Sequence, residues 1–262
     1  MTVRILTGHS RGGGSTIAHI NLINALADRG IDGILYGPHD WHLDKCKSGL
    51  FKDIQVLDGD QLIVHYLGIL NKPLQVTKFI YSCHETNLNP LSLIDLAQFD
   101  CIQYVSESQR KWHNVSYPYK IIPNILSDLK PYPKSVYKIA GIIGSIDSHK
   151  RTADSIHRAI SDGYGTILVY GDISERAYFT QEILPWIERG FVKIMGHCDD
   201  KQKMYDSVDV VYHSSIRETF NYVKAECELT GTGYNGLDSS ESGADYLSKD
   251  EIVDMWIEVL GL

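Results

Sequence analysis

No run of apolar residues in this chain approaches the ~18–20 consecutive positions needed to cross a bilayer. The opening stretch, MTVRILTGHS, lacks the apolar core and small-residue cleavage site of a secretory leader and reads as a first β-strand. Positive charge is in deficit. Against 33 Asp and Glu there are 25 Lys and Arg, a net charge of −8, which argues against a broad basic field for nucleic acid or acidic membranes. Cysteine is sparse: Cys46, Cys83, Cys101, Cys198 and Cys227 are odd in number, scattered and without a C-x-x-C pair. That pattern excludes a disulfide framework and a structural zinc site, and points to reduced thiols in a cytoplasmic protein. There is no H-E-x-x-H and no close His/Asp/Glu set at ligand spacing, so no cofactor or protein-bound metal is expected. A G-x-S-x-G nucleophile elbow is missing too.

What the chain has is alternation. Its 262 residues, 43% hydrophobic and 22% charged, suffice for two compact domains. Short apolar runs at 3–8, 33–37, 61–68, 78–85 and 101–107 read as buried strands. The segment 16–30, with Ile17, Ile20, Ile23 and Ala27 at helical spacing and Gly30 as a stop, reads as a helix. Prolines 118, 123, 131 and 133 mark a boundary between 118 and 135. Beyond it strands are expected at 137–147, 166–172, 191–197 and 208–213, with helices at 151–162, 174–189, 201–206 and 249–261 and a loop at 231–243. Strands alternating with helices imply parallel sheets. The expected architecture is α/β: a Rossmann-like N-terminal domain over 1–130 and a second over 131–262, facing a central cleft, with the final helix free to pack back on the first domain.

Four segments can carry chemistry. In GHSRGGGST (8–16) consecutive glycines, among them Gly13 and Gly14, let backbone N–H groups approach a ligand ahead of a helix N-terminus. No Lys-Ser/Thr pair follows, so it is not a P-loop. Ile17 stands at the third small position of a dinucleotide fingerprint, and the second strand offers no acid for a ribose. By itself the loop is equally a flexible turn. GSIDSHKR (144–151) puts Lys150 and Arg151 at the carboxyl end of a strand, where open α/β sheets bind ligands and a lysine can neutralise a departing diphosphate. His84 also ends a strand; His65 reads as a core histidine at least as well. In RETFNYVKAE (217–226), Glu218 and Glu226 stand eight positions apart, which on a helix is ~12 Å and ~80°. That is too far for a glycosidase carboxylate pair at about 5–9.5 Å. Both could grip one long ligand, with the amides of about Phe220 to Tyr222 facing an anion between them. A nucleotide-sugar has that shape: hydroxyls at both ends, charge in the middle.

Taken in order, these segments resemble the retaining GT-B glycosyltransferases of family four. The glycine loop with NLINALADRG is similar to that family's first loop and helix, and YSCHE to the strand ending in an active-site histidine. IIPNILSD is similar to P-N-G-(V/I)-D, GSIDSHKR to the G-R…K segment, and Glu218-x7-Glu226 to E-x7-E. The resemblance implies that Glu218 holds hydroxyls of the donor sugar and Glu226 those of the ribose. It implies Lys150 on the diphosphate, assisted by backbone donors around Thr219, Phe220, Asn221 and Tyr222, with Arg151 nearby. Gly13 and Gly14 would close over the phosphates, and His84 would contact the transferred sugar or its developing charge. The implied partners are a nucleotide-diphosphate-sugar donor and an unidentified hydroxyl acceptor.

The chain departs from the pattern at several places. Ser145 stands for the arginine of G-R, leaving Arg151, Arg217 or Arg11 as substitutes. Thr219 and Asn221 stand for the glycines of E-G-F-G, and Ile125 for that of P-N-G. Asparagine tolerates positive φ better than most residues. The departures sustain an alternative, a catalytically weak or inactive nucleotide-sugar-binding module. A Rossmann oxidoreductase is disfavoured by the poor fingerprint.

Overall fold

The computed structural model describes residues 1–8, 13–38, 43–55, 59–67, 76–86, 95–133 and 138–262. The expected substitute Arg11 lies, with residues 9–12 of the glycine loop, outside the described residues. The chain divides into two compact units, Met1–Leu126 with Gly243–Leu262, and Ser127–Ser242.

The first unit is built on seven parallel strands: β1 (Val3–Thr7), β2 (Gly33–Gly37), β3 (Ser48–Leu50), β4 (Gln61–His65), β5 (Lys78–Cys83), β6 (Cys101–Tyr104) and β7 (Tyr119–Ile121). Their order is β3-β2-β1-β4-β5-β6-β7, so the direction of winding reverses between β1 and β4. Chain crossing at that point is tight. Gly8 donates its N–H to His65 O at 2.9 Å, and a Cβ at Gly8 would lie 2.1 Å from Tyr66 O, so only glycine fits.

Helix α1 (Gly14–Asp28) buries Ile20, Leu22, Ile23 and Leu26 in a cluster with Val3, Ile5, Leu35, Ile63 and Ile80. The last helix, α8 (Lys249–Leu260), completes that cluster with Ile252, Val253, Trp256 and Leu260. Its start is set by a reciprocal capping box between Ser248 and Glu251.

The second unit carries β8 (Ile139–Ile143), β9 (Thr166–Tyr170), β10 (Val192–Gly196), β11 (Val210–His213) and β12 (Gly233–Gly236), all parallel, ordered β10-β9-β8-β11-β12. Here the winding reverses between β8 and β11. Helices α3 (Thr152–Ser161), α6 (Lys201–Asp206) and α7 (Tyr222–Thr230) follow β8, β10 and β11. Between β9 and β10 the helix expected over 174–189 is three pieces: α4 (Arg176–Tyr178), a π-helical turn (Phe179–Ile183) and α5 (Leu184–Glu188). Pro185, at the start of α5, has no N–H to continue an α-helical ladder from the preceding turn.

Two expectations need correction. The segment 231–243, expected as a loop, contains β12. Its glycines are poor strand formers, but β11 offers a parallel edge and Gly236 leaves room for the Tyr234 ring, which a Cβ would meet at 2.4 Å. The strand expected over 101–107 ends at Tyr104. Ser106 then caps α2 (Glu107–His113), its Oγ accepting from Gln109 N at 3.1 Å, a signature already present as Ser106-x-x-Gln109. The proline-rich segment expected as the boundary, 118–135, opens with residues of the first unit. Pro118 precedes the edge strand β7, its carbonyl accepting from Ile102 N at 2.9 Å, and Ile122 and Ile125 are buried in the first unit. Among the described residues no helix is long and apolar enough to cross a membrane.

Candidate active site

In the second unit the loops after β8 and β11 lie at the reversal of strand order, the place where parallel α/β sheets take ligands. The first loop is organised by Asp147. Its Oδ2 accepts from Ser145 Oγ at 2.5 Å and its Oδ1 from the Lys150 amide at 2.8 Å. Ser145, standing where the resemblance has arginine, thus shapes the loop. The two loops are tied to each other by Ile216 N donating to His149 O at 3.0 Å. Arg151 strengthens the tie: it adopts φ +47 before α3, and its guanidinium donates to Ser214 O at 2.6 Å and Ser239 Oγ at 2.9 Å. Its guanidinium thus binds the second loop to the first.

These ties bring Lys150 to Glu218. Lys150 Nζ lies 2.5 Å from Glu218 Oε1, and His213 Nε2, at the carboxyl end of β11, lies 2.9 Å from the same oxygen. Burial would push the Glu218 carboxyl up, but Lys150 and His213 together hold it down at about 2. Glu218 is therefore an anion with one oxygen engaged by two donors. His213 was not foreseen; its signal was the same as for His84, a histidine ending a buried strand.

Glu226 is at a separate post on α7. Its carboxylate is buried, with Lys201 Nζ on Oε1 and the Tyr205 hydroxyl donating to Oε2 at 2.8 Å. Burial, then the Glu226 charge, pushes the Tyr205 hydroxyl well above its ordinary pKa, so it remains a donor. Nothing local in the sequence marked Lys201 or Tyr205, since both come from α6. Lys201 Nζ also lies 5.2 Å from the centre of the Tyr222 ring, at cation–π distance.

Between the two glutamates the helix begins later than expected. Asn221 is the N-cap, at φ +49, the left-handed conformation that its replacement of glycine requires. Its Oδ1 accepts from Lys224 N at 3.0 Å, and its Nδ2 donates to Tyr234 OH and Ser240 O, both at 2.8 Å. The first-turn amides therefore start at Asn221 and Tyr222. Phe220 precedes the cap and is buried, its ring 4.8 Å from that of Tyr222. Thr219 lies half-buried between Glu218 and Phe220.

Gly13, Gly14 and His84 belong to the first unit. Gly13 is the extended N-cap of α1, and Gly14 opens the helix. His84 directly follows β5 and meets two further histidines: ring centres lie 4.9 Å apart for His19–His84, 5.1 Å for His65–His84 and 4.9 Å for His19–His65. His65 is fully buried between Thr7 Oγ1, 2.9 Å from Nδ1, and Glu85 Oε1, 2.8 Å from Nε2. Among the described residues no group of three His, Cys, Asp or Glu is arranged to hold a metal ion.

No protein-family model and no curated protein sequence matches the chain. Solved structures do. HepE of Anabaena, determined with UDP and glucose, superposes with a TM-score of 0.69 at 12% identity, covering 98% of this chain and 90% of that one. TarM superposes with a TM-score of 0.73 at 10% identity, over 100% and 91%. WaaG, a glycosyltransferase involved in lipopolysaccharide biosynthesis, superposes at 0.62 and 11%, also over 100% and 91%. With its two parallel-sheet α/β units, the chain has the GT-B fold.

Proposed function

We propose that the protein is a retaining glycosyltransferase that moves a sugar from a nucleotide-diphosphate-sugar to a hydroxyl acceptor. The observation that carries this reading is the Lys150–Glu218 pair at the strand reversal of the second sheet. A carboxylate held ionised beside an ammonium can accept hydrogen bonds from sugar hydroxyls while the ammonium faces phosphate. The neighbours add support, since HepE was also determined with UDP-glucose. Under this reading Glu218 Oε2 takes the donor sugar and Lys150 neutralises the leaving diphosphate, with no protein-held metal required. Glu226, steadied by Lys201 and Tyr205, takes the ribose hydroxyls. Asn221 and Tyr222 direct first-turn amides at the phosphates. Arg151 holds the loops under them, while Gly13 and Gly14 at the start of α1 and His84 after β5 are assigned to phosphate and transferred sugar by the resemblance alone. Its five cysteines, all free thiols, suit the reducing cytoplasm.

A panel of UDP-, GDP-, ADP- and dTDP-sugars tests it. One nucleotide class should raise the melting temperature, and that donor should be consumed with an acceptor, giving a product of unchanged anomeric configuration. A thermal shift with NAD(P) and none with any nucleotide-sugar would overturn the reading. Tight donor binding without turnover across a broad acceptor screen would replace it by a binding module.

A further inference from the structure

The Glu218 carboxylate is held by two donors of different kinds, and both meet the same oxygen. Lys150 Nζ and His213 Nε2 lie 2.5 and 2.9 Å from Oε1, while Oε2 receives no donor from the described residues. All three residues belong to the second unit. An ionised carboxylate can only accept, so His213 carries a proton on Nε2 whatever the charge of its ring.

The two donors are anchored unequally. The Lys150 side chain is 27% exposed, and its ammonium rides on a flexible stem with three protons to place. The His213 side chain is 4% exposed and stands on the last residue of β11. The backbone of His213 pairs with Gly236 of β12, and its carbonyl accepts from Leu237 N at 3.1 Å and Arg158 Nη1 at 3.4 Å. Arg158 also donates to Ser214 Oγ at 3.0 Å, so the turn after the strand is fixed with it. A ligand phosphate draws on the Lys150 ammonium, which then answers to two anions. The Nε2 proton of His213 answers to Glu218 alone.

We infer that His213 is the positioning residue of Glu218: it keeps Oε1 in place when Lys150 turns to a ligand phosphate, so that Oε2 stays directed at a sugar hydroxyl. The rigid donor fixes the rotation of the carboxylate, and the flexible one is left to follow the phosphate as the leaving group separates. The sugar contact rests on the proposed glycosyl transfer; the His213–Glu218 coupling rests on the hydrogen bond alone.

Two kinds of spectra test the coupling. In wild-type protein labelled with nitrogen-15 at histidine, two-bond proton–nitrogen spectra should show His213 protonated at Nε2, with His213→Gln supplying the assignment. A bare Nε2 would overturn the inference, and this result needs no destabilised variant. With carbon-13 at the glutamate carboxyls, and Glu218→Gln for assignment, wild-type Glu218 should still be the anion at pH 3. In His213→Leu, which has no donor, its midpoint should rise by about one pH unit, and in His213→Gln, which keeps one, by less. An unmoved midpoint in His213→Leu would overturn the coupling.

Turnover separates positioning from folding. His213→Leu should lower kcat about tenfold with the donor KM little changed, and His213→Gln should recover most of that loss. In a Glu218→Gln background His213→Leu should cost no further turnover, because the group it acts through is already gone. Losses that multiply in the double variant would overturn the positioning role. No transfer by wild type with any donor of the panel would overturn the glycosyltransferase reading, while the spectra still decide the His213–Glu218 coupling.

Discussion

Lys150 Nζ and Glu218 Oε1 lie 2.5 Å apart although 68 residues separate them in sequence. One belongs to the loop after β8 and the other to the loop after β11, so the pair exists only because those strands are neighbours in the sheet. Its two members should fail differently. Glu218→Gln keeps the size of the side chain and loses the charge. Turnover should fall by about 10²-fold with donor affinity little altered, because the contacts to sugar hydroxyls strengthen as positive charge develops in the transition state. Steady-state kinetics with a titrated donor checks this; wild-type turnover in Glu218→Gln would contradict it.

Lys150→Ala should impair donor binding as well as turnover. The ammonium faces charge present in both ground and transition states, and its removal leaves the half-buried Glu218 anion with His213 alone. Donor titration by calorimetry beside kcat separates the two losses.

The Glu218 carboxyl, held at about 2, also gives stability a defined pH dependence. Its pKa is lower in the folded protein than the ~4.3 of an unperturbed glutamate, so its stabilisation is complete above that value. It is lost as pH falls towards the folded pKa. Compared with Glu218→Gln, the wild type should lose about 2 kcal/mol of relative unfolding free energy between about pH 6 and about pH 3. Urea unfolding at both pH values measures it; a constant difference would show that the carboxyl is not held down.

Glu226 should prove a structural liability as well as a ligand. Tyr205→Phe removes one donor from a buried carboxylate and should cost about 1–3 kcal/mol. Glu226→Ala, which strips both Lys201 and Tyr205 of their partner, should cost about 3–5 kcal/mol. Denaturant melts give both numbers. If donor affinity falls in Tyr205→Phe by less than in Glu226→Ala, the tyrosine acts by orienting the carboxylate.

At Asn221, alanine should be worse than glycine by about 1 kcal/mol. Either change loses the cap to Lys224 and the bonds to Tyr234 and Ser240, but only alanine must also hold φ +49 with a Cβ. Thermal unfolding of Asn221→Ala and Asn221→Gly tests the order.

The strands were readable because each needs only its own neighbours: an apolar run such as LIV at 62–64 is buried in any parallel sheet. Residues ending such runs, His84 and those after Ile143, could be marked as site candidates on the same local ground. β12 was not readable, since GYNG has little strand preference and pairs because β11 stands ready. His213 lay at a strand end and could have been marked; Lys201 and Tyr205 could not, because their relation to Glu226 arises when α6 packs beside α7.

By itself, then, the sequence determined the alternation of strand and helix, the parallel class, and which strand ends carry polar groups, all consequences of hydrophobic period and local backbone preference. Tertiary structure decided the partners: that Lys150 and His213 share Glu218, that Lys201 and Tyr205 hold Glu226, and that Ser82 donates its hydroxyl proton to Gln103. Those contacts span stretches of chain whose pairing follows from strand order, and strand order is settled by burial over the whole unit, not by any one segment.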